Sequence, residues 1–215
     1  MKLLLQNISS GLAGSLSQCG RKRNFGTDEI IFDEGEEALS LPIVLSGKVK
    51  MVHYLEHGKE VIIGIFETGE MFAVPPVFDG KNYPAAAVAM EDSQLLLVSR
   101  ADFLMLLRES SEFSFAVITW MCEMLREKTA TIHNLATASP EQRIGNVLLK
   151  LAERDVPSGP VKIALRREDI AKMAGLTTET TIRVIRKLAD KSVIRIDHGK
   201  IVLDDIAMLR GHIES

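Results

Sequence analysis

The sequence predicts an α+β protein: an N-terminal antiparallel β-roll of the jelly-roll kind, then a long helix, then two short helices followed by a β-hairpin. Three patterns carry this expectation. Short β-branched and aliphatic runs recur between residues 26 and 98, an apolar repeat of threes and fours runs through residues 113–138, and residues 165–188 have the spacing of two helices joined at a glycine. The patterns predict three parts, at residues 1–110, 111–137 and 138–215.

The first part contains EIIF, LPIVLSG, KVKMVHYL, EVIIGIF, AAAVA and QLLLV, separated by Gly or acidic turn residues. Many short strands with such punctuation form an antiparallel sandwich or roll. Gly35 and Gly69 fall where strands must turn. Helix is predicted to begin within Ala101 to Leu107.

In the second part Ile118, Met121, Leu125, Lys128, Ile132 and Leu135 follow one another at alternating spacings of three and four. That row suits a helix pairing with its own copy, and the same helix can also pack on its β-domain. Lys128 is the one polar member, able to set register or to extend its ammonium to solvent. Thr137-Ala138-Ser139-Pro140 ends the helix, because proline disfavours helix in the residue before it.

The third part is the most informative. Ile170, Met173 and Ala174 make the apolar side of a first helix, Gly175 supplies the turn, and Thr177 or Thr178 caps a second helix ending near Asp190. Val184 and Leu188 point inward. Glu179, Ile182, Arg183 and Arg186 lie on one outward stripe that can enter a major groove. Val193–Ile196 and Ile201–Leu203 then alternate around Asp197-His198-Gly199-Lys200, which is a hairpin signal. The order is that of a winged helix-turn-helix for double-stranded DNA.

Length and charge agree. A chain of 215 residues suits two domains. Its net charge of −3 is unevenly held: residues 1–137 carry 12 Lys+Arg against 18 Asp+Glu, a balance of −6, and residues 138–215 carry 14 against 11, a balance of +3. Only the reading end is basic, as phosphate contact requires. Leu3-Leu4-Leu5 is too short for a signal core and no span is long enough for a bilayer, so the protein is expected in the cytoplasm with no membrane partner. Cys19 and Cys122 form no CxxC pair and are expected to be ordinary reduced cysteines, with no metal site.

With β-roll, long helix and winged helix-turn-helix in this order, the chain resembles the Crp/Fnr superfamily of bacterial transcription regulators. The carrying segments are FDEGEE at 32–37, LSGKVK at 45–50, TGEMF at 68–72, EDSQLLLVSRADF at 91–103 and LTTETTIR at 176–183. The resemblance implies a homodimer that senses a small-molecule effector in the roll, binds an inverted repeat, and works with RNA polymerase. Glu179 and Arg183 match the family's base-reading acid and arginine. Their chemistry fits independently: arginine is bidentate to guanine and glutamate accepts from cytosine, which suits a TGA-like half-site. Arg167 and Thr180 match phosphate-contacting positions, and Arg186 is expected to join them. Thr178 stands where better-known members have another base-reading arginine, and Ile182 where the oxygen-sensing branch has serine. An apolar Ile182 can meet a thymine methyl, so the outer bases of the half-site stay open.

The effector is less legible. Cyclic-nucleotide binders of this family carry Gly-Glu for the ribose, kept here as Gly69-Glu70, and Arg-Ser or Arg-Thr for the cyclic phosphate. Here Tyr83-Pro84 stands at that second place. A buried phosphate needs charge-assisted donors, so a cyclic nucleotide is not expected. Two cysteines cannot hold the iron-sulfur cluster of the oxygen sensors. The haem ligands of the carbon-monoxide sensor are absent, Ala73 and Pro75 standing in their region. A haem held as in the nitric-oxide-responsive branch stays open, with His53, His57 and His133 available. The expected pocket is mostly apolar, with Phe72, Val74, Tyr83, Met124 and Leu125 beside Glu70, and favours a small apolar molecule, haem or no ligand. A cupin-like metal enzyme built on His53, His57 and Glu60 is the alternative from another class. It leaves the DNA-reading end unexplained, so no catalytic activity is expected.

Overall fold

The computed structural model describes residues 9–55, 60–153 and 159–214. It divides into two units, Met1–Arg126 and Glu127–Ser215, each described by itself.

The first unit opens with α1 (Ser10–Cys19), started by Ser9, whose hydroxyl accepts the Leu12 N–H. Among the described residues seven strands follow: β1 (Gly20–Phe25), β2 (Ile30–Phe32), β3 (Ser40–Ser46), β4 (Lys48–Tyr54), β5 (Glu60–Glu67), β6 (Ala86–Ala89) and β7 (Ser93–Ser99). They form two antiparallel sheets, of order β1-β7-β3 and β2-β6-β4-β5. Each of the six apolar runs became a strand. β1 was not foreseen, since Arg21, Lys22 and Arg23 hide any alternation. It is an edge strand, and charged side chains are what an edge tolerates.

Inward-facing Leu41, Ile43, Leu95 and Phe72 are fully buried in one core. α2 (Val74–Asp79) is entered through Ala73 in the left-handed region, φ 56°, and left through Gly80 at φ 73°. α3 (Arg100–Glu109) is capped by Ser99, whose hydroxyl accepts the Asp102 N–H. α4 (Ser111–Thr137) buries Phe113, Val117 and Trp120 in the roll's core.

The predicted seam lies elsewhere on α4. Ile118, Met121, Leu125, Ile132 and Leu135 are 56, 40, 70, 69 and 43% exposed, and Lys128 is half-buried. One helix thus carries a buried apolar face and a second, uncovered one.

In the second unit α5 (Pro140–Ala152) starts with a full capping box, Ser139 and Gln142 each satisfying the other's backbone N–H. β8 (Val161–Ile163), α6 (Arg167–Ala174), α7 (Thr178–Asp190), β9 (Arg195–Asp197), β10 (Lys200–Leu203) and α8 (Ile206–Glu214) complete it. Its sheet has the order β8-β10-β9, and β8 was not foreseen. Ile144, Leu148, Ile170, Ile185 and Leu188 are buried at its centre. Gly145 lets α5 and α8 approach closely, for a Cβ there would stand 2.4 Å from Ile213 Cγ2.

Candidate nucleic-acid interface

α6 ends at Gly175, whose φ of 64° lies where a side chain is strained and whose N–H reaches the Ala171 carbonyl. Thr177 then opens α7, its hydroxyl accepting the Thr180 N–H at 3.2 Å. Of the two candidate caps it is Thr177 that serves, and Thr178 stands exposed at the helix start. Val184, Ile185 and Leu188 turn inward, with Thr181 fully buried beside them. Ile170 and Ala174 of α6 are buried as expected, while Met173 is half-buried.

The outward face of α7 follows from that inward one. Glu179, Arg183 and Arg186 are exposed and Ile182 is half-buried. Among the described residues none of these three charged groups takes a side-chain hydrogen bond or ion pair, although Glu179 and Arg183 are one turn apart. The lysines of the same helix end are held instead. Glu141 of α5 binds Lys187, and lies 2.8 Å from both Lys191 Nζ and His212 Nε2. These three partners, His212 first, hold its carboxyl at about 2. The cluster joins α5, α7 and α8, and sequence spacing gave no sign of it because its members lie up to 71 residues apart.

The wing is a tight hairpin. His198 and Gly199 have φ of 47° and 76°, as a two-residue turn matching strand twist requires. β9 begins at Arg195 rather than at Val193, its pairing with β10 reaching only to Arg195, and Val193 and Ile194 are buried ahead of it. Arg195 forms paired 3.1 Å bonds to Asp204 across the wing's base. Arg167, expected at phosphate, is half-buried and donates from Nη2 to the Gly199 carbonyl at 3.1 Å; burial lowers its pKa. The Thr180 hydroxyl lies 2.9 Å from that of Thr177.

In the roll the expected pocket residues are packed together. Glu70, Phe72, Val74 and Tyr83 are all buried. The Tyr83 ring stacks on Phe32 at 3.6 Å between centroids, and its hydroxyl donates to the Ser40 carbonyl at 2.7 Å; burial raises the phenol's pKa. The Glu70 carboxylate accepts the Glu67 N–H at 2.8 Å. Met124 packs against the core, whereas Leu125 stands on the uncovered seam and so belongs to that face rather than to the roll's interior.

His53 Nδ1 is 2.9 Å from a Glu34 carboxylate oxygen at the surface, and His133 is exposed on α4. His57 lies outside the described residues. Among the described residues no three His, Cys, Asp or Glu side chains are grouped to hold a metal. Cys19 is half-buried and Cys122 exposed. No described helix is long and apolar enough to cross a membrane.

Comparison with known proteins agrees with this geometry. Residues 22–110 match the cyclic nucleotide-binding domain, and residues 142–211 match the Crp-like helix-turn-helix domain. The cyclic AMP receptor protein of Thermus thermophilus is 29% identical over 189 residues, 88% of this chain and 86% of that protein. The anaerobic regulatory protein of Bacillus subtilis is 26% identical over 213 residues, 96% and 90% of the two chains. FixK2 of Bradyrhizobium japonicum has the same fold, with a TM-score of 0.81 at 23% identity over 89% of this chain and 96% of that one. A roll of the cyclic nucleotide-binding type followed by a Crp-like, DNA-binding helix-turn-helix places this chain in the Crp/Fnr family of transcription regulators.

Proposed function

We propose that the protein is a homodimeric regulator that reads a TGA-like inverted repeat through Glu179 and Arg183, and that its roll senses a signal other than a cyclic nucleotide. The observation that carries the reading is the free pair itself. Glu179 and Arg183 stand one turn apart, exposed and without side-chain partners among the described residues, on a helix otherwise fixed by its cap and core. An arginine so placed can meet guanine O6 and N7, and the acid a cytosine amine. Ile182 and Thr178 flank the pair, and Arg186, Thr180 and Arg167 supply phosphate contacts.

The second copy is the occupant proposed for the exposed row of α4. One recognition helix buries little surface, and a palindromic site calls for two readers about 34 Å apart. Five large apolar side chains on one helix face, left in water, would be costly without a partner. An effector bound in the roll would alter how the two long helices pair and so re-space the readers.

Against a cyclic nucleotide stands Tyr83. Its ring is stacked and its hydroxyl engaged, so it offers a cyclic phosphate no charged donor. This supports an apolar signal or an unliganded active form, and the full burial of Met71 and Phe72 agrees.

The test is fluorescence anisotropy of the purified protein on a duplex bearing an inverted TGA repeat, at fixed salt, beside a scrambled duplex, with cyclic AMP or haem added in parallel series. Selective binding unchanged by cyclic AMP is expected. Equal binding to both duplexes under every condition would overturn the reading, and selectivity that appears only with cyclic AMP would overturn its effector half.

A further inference from the structure

We propose that the indole N–H of Trp120 is the donor that holds the signal in the roll, and that the signal is a small, uncharged, mostly apolar molecule with one hydrogen-bond acceptor, of the ketone or ether class. This rests on the reading above that the roll senses something other than a cyclic nucleotide. Trp120 is the only tryptophan of the chain, is 3% exposed, and lies in the same core as Phe72 and Tyr83. Its Nε1 is buried and has no hydrogen-bond partner among the described residues. An indole N–H can only donate, so what it lacks is an acceptor.

The other buried polar side chains of the first unit are engaged. The Tyr83 hydroxyl donates to the Ser40 carbonyl, the Glu70 carboxylate accepts the Glu67 N–H, and the Ser93 hydroxyl donates to the Glu91 carbonyl and accepts the Lys48 N–H. Arg100 also has an unpartnered Nε, but it is half-buried at the start of α3 and its Nη2 reaches the Phe78 carbonyl at 3.3 Å. A donor left unmade in a dry core is costly, because its hydration has been removed and nothing replaces it. A lone water does not fill the place, since a buried water needs about two to four polar partners and these side chains are already taken.

The chemistry of the guest follows from what surrounds the donor. Among the described residues no Lys, Arg or His of this unit is buried, so a carboxylate or phosphate would lose its hydration without gaining a countercharge. A neutral oxygen meets the N–H without that cost, and the ring group of Phe32, Phe66, Phe72 and Tyr83 offers the rest of the molecule an apolar setting. Met71 and Met124 of the same core are unbranched and adaptable, and Met124 follows Trp120 by four residues on one face of α4. A guest held by Trp120 is held by the long helix itself.

Nuclear magnetic resonance of full-length protein carrying nitrogen-labelled tryptophan tests this, the one indole cross-peak being that of Trp120. Cyclohexanone and methylenecyclohexane, alike in shape but with and without the carbonyl oxygen, are titrated in parallel, with cyclic AMP as a third series. The two cyclic probes are repeated on Trp120→Phe by thermal melting. Expected are a downfield move of the indole proton with the ketone alone, and binding of the ketone about tenfold tighter than that of the hydrocarbon, a preference absent from Trp120→Phe. Equal responses to the two probes, or an indole resonance that neither moves, would overturn the proposal. A resonance moved by cyclic AMP, with DNA selectivity that appears alongside, would instead remove the non-nucleotide reading, and this site with it.

Discussion

Arg167 donates from Nη2 to the carbonyl of Gly199, 3.1 Å away, tying the first residue of α6 to the tip of the wing. The residue that family likeness assigns to phosphate is thus also a brace between the two DNA-facing elements. Lysine at this place keeps the charge but not the guanidinium fork. Arg167→Lys should therefore weaken DNA binding several-fold while leaving its salt dependence intact, and Arg167→Ala should lower both, the brace being worth about 1 kcal/mol. Anisotropy titrations at several salt concentrations separate the two variants; identical salt slopes in both would remove the phosphate role.

Arg183 and Arg186 share the outward stripe but are expected to differ in kind. Arg183→Ala should weaken the specific site by about 10- to 100-fold and random duplex much less, since a bidentate base contact contributes about 1–3 kcal/mol. Arg186→Ala should weaken both duplexes alike and reduce the salt slope by about 1. Equal losses on both duplexes for Arg183→Ala would sink its role as a base reader.

The Glu141 cluster makes stability depend on pH. Its carboxyl is held from 4.5 down to about 2, so its contribution is fully present above the unfolded value and is lost as pH falls through that interval. Glu141→Gln should lower stability by about 1 kcal/mol at neutral pH, because its lysine partners are at the surface and screened. Thermal melts of wild type and variant should converge near the lower end of that interval. A gap that stays constant down to the acid end would contradict the linkage.

Gly175 is required twice over. Its φ is +64°, and a Cβ would approach Leu135 Cδ2 to 3.2 Å. Gly175→Ala should cost about 1–2 kcal/mol, visible as a lower midpoint in denaturant titration. An unchanged midpoint would mean that the turn relaxes around the methyl group.

Tyr83→Phe removes the hydroxyl that donates to the Ser40 carbonyl and keeps the stack on Phe32. A loss of about 1 kcal/mol is expected, with no change in DNA selectivity. If selectivity also changed, the hydroxyl would have a part in sensing beyond holding the roll together.

Much of this molecule was legible because its signals are local. The six apolar runs of the roll, the threes-and-fours row of α4 and the glycine between α6 and α7 are each set by period and turn chemistry within a few residues. Where local signals conflict or fall silent, the reading stopped short. β1 reads as a basic run because its pairing with β7 joins residues such as Arg23 and Leu95, far apart in sequence. β8 is three residues long and owes its existence to β10. Leu125 had two roles in the sequence, pocket and seam, which period alone cannot separate; its exposure takes it out of the roll's interior.

The sequence by itself determined the order of the parts, the turn of the reader and the stripe from Glu179 to Arg186, because each depends on residues close along the chain, whereas the structure chose Thr177 over Thr178 as the cap. Only the tertiary structure decided that Glu141 gathers Lys187, Lys191 and His212, that Arg167 braces the wing, and that Tyr83 is locked between Phe32 and Ser40. These are contacts between distant segments, and their partners become neighbours only when burial of the intervening apolar faces brings those segments together.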